Sequence, residues 1–141
     1  MIVSVIGLGY IGLPTAALLA SQGIQVVGVD VNKSVVDTVN RGAVHIVEPE
    51  LSILVKNAVS EGNLCAKIVP VKADVFIVSV PTPFKEGFEP DLSYIESAAK
   101  SISAVLEKEN LVILESTSPV GTTEKMMKIM QKERSDLIFP V

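Results

Sequence analysis

The chain has one cysteine, one histidine, no tryptophan and only 4% aromatic residues. A single thiol excludes any internal disulfide and suits a reducing compartment. So few thiol and imidazole groups give no metal-ligand spacing, and no metal site is expected. Basic residues are scarce too, 12 Lys and Arg against 16 Asp and Glu, for a net charge of −4. Without a basic face, nucleic acid and anionic membranes are poor partners, and a small anionic ligand would have to be held by backbone dipoles. No apolar run approaches the ~18 residues of a membrane span. The first residues open a strand pattern at once, with neither a basic n-region nor a cleavage site, so the expected location is the cytoplasm.

What is present is apolar: 48% of 141 residues, enough for one domain with a true core. Apolar runs of strand length alternate with stretches of helical spacing, the pattern of an α/β domain with a buried parallel sheet. The expected fold is Rossmann-type, a doubly wound and mainly parallel six-stranded sheet with helices on both faces. Its strands are read as Ile2 to Ile6, Gln25 to Val29, Leu64 to Val69, Val75 to Val80, a buried Leu111 to Leu114, and Leu137 to Phe139. Asn32 is placed to cap a helix with Val35, Val36 and Val39 inward, ended by Gly42. Pro49 opens a helix whose inner residues are Leu51, Leu54, Val55 and Ala58. Asp91 or Ser93 caps another, with capping-box spacing from Ser93 to Glu96 and an inner stripe of Leu92, Ile95, Ala99, Ile102 and Leu106. A last helix is read over about Thr122 to Lys132, its Met126, Met127 and Met130 being packing residues.

Between the first strand and the first helix lies Gly7-Leu8-Gly9-Tyr10-Ile11-Gly12. Glycine clusters are usually plain turns. Here the strand before and the helix after supply the setting of a dinucleotide-binding turn. Gly7 permits the tight turn, Gly9 lets backbone approach a pyrophosphate, and Gly12 lets helix and strand pack closely. The helix N-terminus offers unpaired N–H groups to phosphate oxygens. The second strand ends in Asp30, an acid that can accept both hydroxyls of an adenosine ribose.

Ligands of a doubly wound sheet collect beyond the carboxyl ends of its strands. Besides the glycine turn, that criterion selects Val80 to Pro83 and Glu115 to Gly121. Thr82 and Thr117 either bring hydroxyl groups to a cofactor's edge or merely terminate strands. Thr122 and Thr123 read as N-caps of the last helix, at an end that can also face a dinucleotide. His45 has no partnered serine or cysteine and reads as a loop residue. Cys65 reads as a small core residue and not a nucleophile.

Gly7 to Pro14, Val80-Pro81-Thr82-Pro83 and Glu115-Ser116-Thr117-Ser118-Pro119-Val120-Gly121 together resemble the N-terminal domain of the UDP-glucose/UDP-mannuronate dehydrogenase family. His45-Ile46-Val47-Glu48-Pro49, Pro83-Phe84-Lys85 and Glu89-Pro90-Asp91 are most similar to its UDP-N-acetyl-D-mannosamine dehydrogenase branch. The resemblance covers essentially the whole chain. It implies NAD as cofactor, with Tyr10 and Ile11 against the pyrophosphate, Asp30 on the ribose, Thr82 and Thr117 near the rest of the NAD, and Thr123 in the same region. It also implies a UDP-sugar substrate, a homodimer for the full-length enzyme, and oxidation of a hexose C6 alcohol to a carboxylate in two NAD-dependent steps.

The family's catalytic cysteine lies in a Gly-Gly-His-Cys segment, with a lysine and an asparagine in an intervening helical region, and residues 1–141 contain none of these. Residues 1–141 are therefore expected to be an NAD-binding N-terminal domain, truncated, inactive alone and without catalytic residues. The central helical and C-terminal UDP-sugar domains would be absent. A four-electron oxidation needs a thiol to trap the aldehyde as a thiohemiacetal and release the second hydride from it. The competing readings are a free-standing NAD-binding or redox-sensing module and another reductase of like topology.

Overall fold

A computed structural model describes residues 1–140 as ten elements. In chain order they are β1 Ile2–Ile6, α1 Gly12–Ser21, β2 Gln25–Val29, α2 Lys33–Asn40, α3 Leu51–Ser60, β3 Leu64–Lys67, β4 Val75–Val78, α4 Ser93–Ser103, β5 Leu111–Leu114 and α5 Thr122–Glu133. The strands form one sheet, ordered β3-β2-β1-β4-β5, and every pairing is parallel. Alternation along the strands divides the core in two. Val3, Val5, Val26, Leu64 and Ala66 face α1, α2 and α3, while Ile6, Val29, Phe76 and Val78 face α4 and α5.

The Rossmann-type layering is therefore as expected, but the sheet has five strands among the described residues, not six. Leu137 to Phe139 forms no strand. The Leu137 amide turns back to Arg134 O instead, and its carbonyl accepts from Gln131 Nε2. β5 is consequently an edge and not the buried strand its composition suggested. Val112 and Leu114 pack on the α4/α5 core, whereas Leu111 and Ile113, on the other face, stay 55% and 40% exposed. Edge position also corrects Cys65. Leu64 and Ala66 take the inward positions of β3, so the thiol between them is exposed.

Helix ends follow the expected chemistry at α2, where Asn32 Oδ1 accepts from the Ser34 amide and Gly42 adopts φ +72°. They depart from it elsewhere. α3 starts two residues beyond Pro49, after Glu50 in a left-handed conformation. Asp91 Oδ1 accepts from the Ser93 amide, but the capping box does not form because Glu96 reaches Lys125 across to α5. Neither Thr122 nor Thr123 caps α5. Gly121, at φ +89°, holds that position, and Thr122 Oγ1 donates to Pro119 O. No helix among the described residues is long and apolar enough to cross a membrane.

Candidate dinucleotide site

In the strand order, β1 lies between β2 and β4, so the connections leaving the carboxyl ends of β1 and β4 run to opposite sides and leave a crevice between them. The glycine turn occupies that end. Gly7 sits at φ +94°, and a Cβ on it would come within 2.4 Å of Ser79 O. A Cβ on Gly12 would meet Gly7 O at 1.8 Å. Both positions are closed to a side chain by the protein itself. Gly9 differs: nothing lies within 4 Å of where its Cβ would be. That open space beside the turn is what a bulky ligand group requires.

Leu8 was not read as a site residue, yet it fastens the turn. Its side chain is fully buried, at 2.7 Å from where a Cβ on Gly28 would sit, which accounts for glycine in the middle of β2. Its amide donates to Asp30 Oδ2 at 3.0 Å. Asp30 Oδ1 accepts from the Asn32 amide at 2.9 Å. Each carboxylate oxygen keeps lone-pair capacity for a further donor. Tyr10 and Ile11, on the same turn, are 64% and 60% exposed. α1 begins with no side-chain cap and no acid in its first turn. The Leu13 amide donates to Gly9 O and the Thr15 amide to Ile11 O, and Pro14 has no N–H, so the helix offers an anion chiefly its dipole and the amides of the turn before Leu13.

A cleft of about 460 Å³ opens beside Asp30, walled by Val31, Ile68, Val80, Pro81, Ala98 and Ser101 among others. Its walls suit a flat apolar ring. On the other side of the turn the structure brings together the two threonines read from sequence, as Thr82 Oγ1 donates to Thr117 O at 2.6 Å. Ser116 Oγ donates to Val80 O at 2.9 Å and fixes the same two loops. Thr123 is not drawn into this cluster by any side-chain bond among the described residues. It lies exposed on the first turn of α5 and borders a separate groove of about 670 Å³ with Leu111, Met126 and Met130.

Two residues that carried no local signal, Thr15 and Ser79, join the site through Glu115, the first residue of the loop selected above. Glu115 Oε1 accepts from Thr15 Oγ1 at 3.0 Å, and its Oε2 from Ser79 Oγ. Their partners are remote in sequence, so only the fold reveals them. His45 is exposed in the loop between α2 and α3. No His, Cys, Asp and Glu cluster capable of holding a metal occurs among the described residues. Carboxyls held below their ordinary range serve the scaffold: Asp91 through the Ser93 amide and hydroxyl, then Lys85, and Glu96 through its hydrogen bond and charge contact with Lys125.

Residues 1–139 match the UDP-glucose/GDP-mannose dehydrogenase family, NAD binding domain. The chain belongs to that family. Over 139 residues it is 62% identical to the UDP-N-acetyl-D-mannosamine dehydrogenase of Campylobacter jejuni, covering 98% of this chain and 34% of that protein. It is 56% identical over 138 residues to an NDP-N-acetyl-D-galactosaminuronic acid dehydrogenase of Ralstonia nicotianae, covering 98% of this chain and 33% of that one. The solved structure of a UDP-D-ManNAc dehydrogenase from Pyrococcus horikoshii superposes with a TM-score of 0.91 at 43% identity, over 96% of this chain and 33% of that one. The chain thus spans about a third of the length of these relatives. NAD is the cofactor of this domain type. The open Gly9, the uncapped α1 and the Asp30 carboxylate fit it.

Proposed function

We propose that this domain holds NAD for the oxidation of a nucleotide sugar at its C6 alcohol, with UDP-N-acetyl-D-mannosamine as the substrate of the complete enzyme. The observation that carries this is the agreement between the crevice chemistry and 62% identity to a relative of that name. Bound NAD supplies an acceptor for hydride. The residues of this chain bind and orient it. The pyrophosphate would lie in the open space at Gly9, against Tyr10, Ile11 and the N-terminal end of α1. The two oxygens of Asp30 would take the ribose hydroxyls, and the apolar cleft beside it the adenine. Thr82, Thr117 and Thr123 would border the remainder, with Gly7 and Gly12 shaping the turn.

The exposed thiol of Cys65 on the sheet edge is not in the crevice. A thiol for the second hydride transfer, and the pocket for UDP-sugar, would come from further domains of the complete form. We place that form in the cytoplasm as a homodimer, a state that sedimentation of the complete protein checks. The test of function is NADH formation from UDP-N-acetyl-D-mannosamine. The isolated 141-residue chain is expected to show no turnover. Joined to the remaining two thirds of the Campylobacter jejuni relative, it is expected to support turnover. A fused protein that folds, binds NAD and oxidises UDP-glucose but not UDP-N-acetyl-D-mannosamine would refute the substrate assignment. Sustained turnover by the isolated chain that disappears in Cys65→Ser would refute the division of labour.

A further inference from the structure

Glu115 has no place in the glycine turn, yet its carboxylate joins the elements around it. It follows β5, whose end is fixed by the Glu115 amide donating to Val78 O at 2.9 Å. Its oxygens accept from Thr15 on α1 and from Ser79 beyond β4. Ser79 in turn abuts the turn, lying 3.2 Å at its Cβ from where a Cβ on Gly12 would be. Both carboxylate oxygens are therefore held, each by a hydroxyl of a different segment. Among the described residues no lysine or arginine pairs with it. The result is an anchored, uncompensated negative charge at the carboxyl ends of β4 and β5.

Asp30 assigns the adenosine end of a dinucleotide to the β2 side of the crevice. The other end then runs across β4 and β5, where Glu115, Thr82 and Thr117 lie. The two redox forms of NAD differ there in charge. The oxidised nicotinamide ring is cationic and the reduced ring is neutral, whereas the phosphates are the same in both. We propose that Glu115 sets the redox preference of the site, favouring the oxidised cofactor over the reduced one through its fixed charge. This rests on the reading of the crevice as the NAD site. Such a preference serves an oxidation, which must admit NAD and release NADH.

The test is titration of the 141-residue chain with NAD and with NADH at low ionic strength, followed by amide correlation spectra that also report folding. In Glu115→Gln, the ratio of Kd for NADH to Kd for NAD is expected to fall about two- to fivefold, the range for an exposed charge interaction. The effect should shrink as salt is raised. Glu115→Asp, which keeps the charge on a shorter arm, is expected to hold the ratio near that of the parent chain. A merely structural clamp would weaken both forms equally. An unchanged ratio in Glu115→Gln, or an equal fall in Glu115→Asp, overturns the proposal. If the parent chain binds neither form at millimolar concentration, the dinucleotide reading itself fails and takes the proposal with it.

Discussion

Gly9→Val should remove NAD binding without harming the fold, whereas Gly12→Ala should harm the fold itself. A side chain at Gly9 meets no protein atom within 4 Å, and Gly9 is not among the glycines with positive φ. Replacing glycine at such a position tends to stabilise by ~0.4–1 kcal/mol through the unfolded chain. The same side chain would occupy space assigned to the pyrophosphate. Losing two charge-assisted hydrogen bonds at ~1.5 kcal/mol or more each costs about 3 kcal/mol, over a hundredfold in Kd. At Gly12 the added methyl would lie 1.8 Å from the carbonyl oxygen of Gly7, and a backbone atom cannot swing aside. Overpacking of that kind costs about 3 kcal/mol, roughly 10 °C in Tm for a domain of this size. Thermal melting paired with NAD titration reads both effects. A Gly9→Val protein that keeps the parent affinity, or a Gly12→Ala protein that melts with the parent, would refute the reasoning.

Asp30→Ala should weaken NAD binding by about 1.5–3 kcal/mol and also lower Tm modestly, because the Leu8 amide loses its acceptor. The same carboxylate should repel the 2′-phosphate of NADP, and tighter calorimetric binding of NADP than of NAD would contradict its role. Ser4→Ala should raise stability by up to ~1 kcal/mol, since the Ser4 hydroxyl is fully buried without a hydrogen-bond partner; a clear fall in Tm would show that the hydroxyl is satisfied. Lys125 holds the Glu96 carboxyl below its usual value of 4.5, so this contact stabilises the fold above that pH and is lost as pH falls through the lowered value. Lys125→Met should therefore melt below the parent at neutral pH and together with it in strong acid, and a constant difference across that range would exclude the linkage.

Much of this architecture was legible because parallel strands buried on both faces are continuous apolar runs, as Val75-Phe76-Ile77-Val78 is. The same logic misled at the margins. Leu111-Val112-Ile113-Leu114 has the composition of a central strand, but its neighbour on one side is missing among the described residues, and half its side chains face outward. Cys65 looked like core because a strand's burial alternates, and its position within Leu64–Lys67 falls on the open face. The glycine turn and the position of Asp30 just beyond β2 were legible because they depend on backbone conformation and on where a strand ends. The parts played by Leu8, Thr15 and Ser79, and the contacts Glu115 makes, were not, since a buried anchor over Gly28 and a clamp between segments up to 100 residues apart arise only when the sheet closes.

The central claim is that NAD lies across the crevice between the glycine turn and the ends of β2, β4 and β5. Amide chemical-shift mapping of the 141-residue chain with NAD addresses it most directly. Saturable shifts are expected at Gly9, Tyr10, Ile11, Gly12, Val31, Thr82, Thr117 and Thr123, with Leu111, Met130 and Phe139 at the β5 edge unmoved. Saturable shifts confined to the β5 edge, or no shifts at millimolar NAD, would contradict the account.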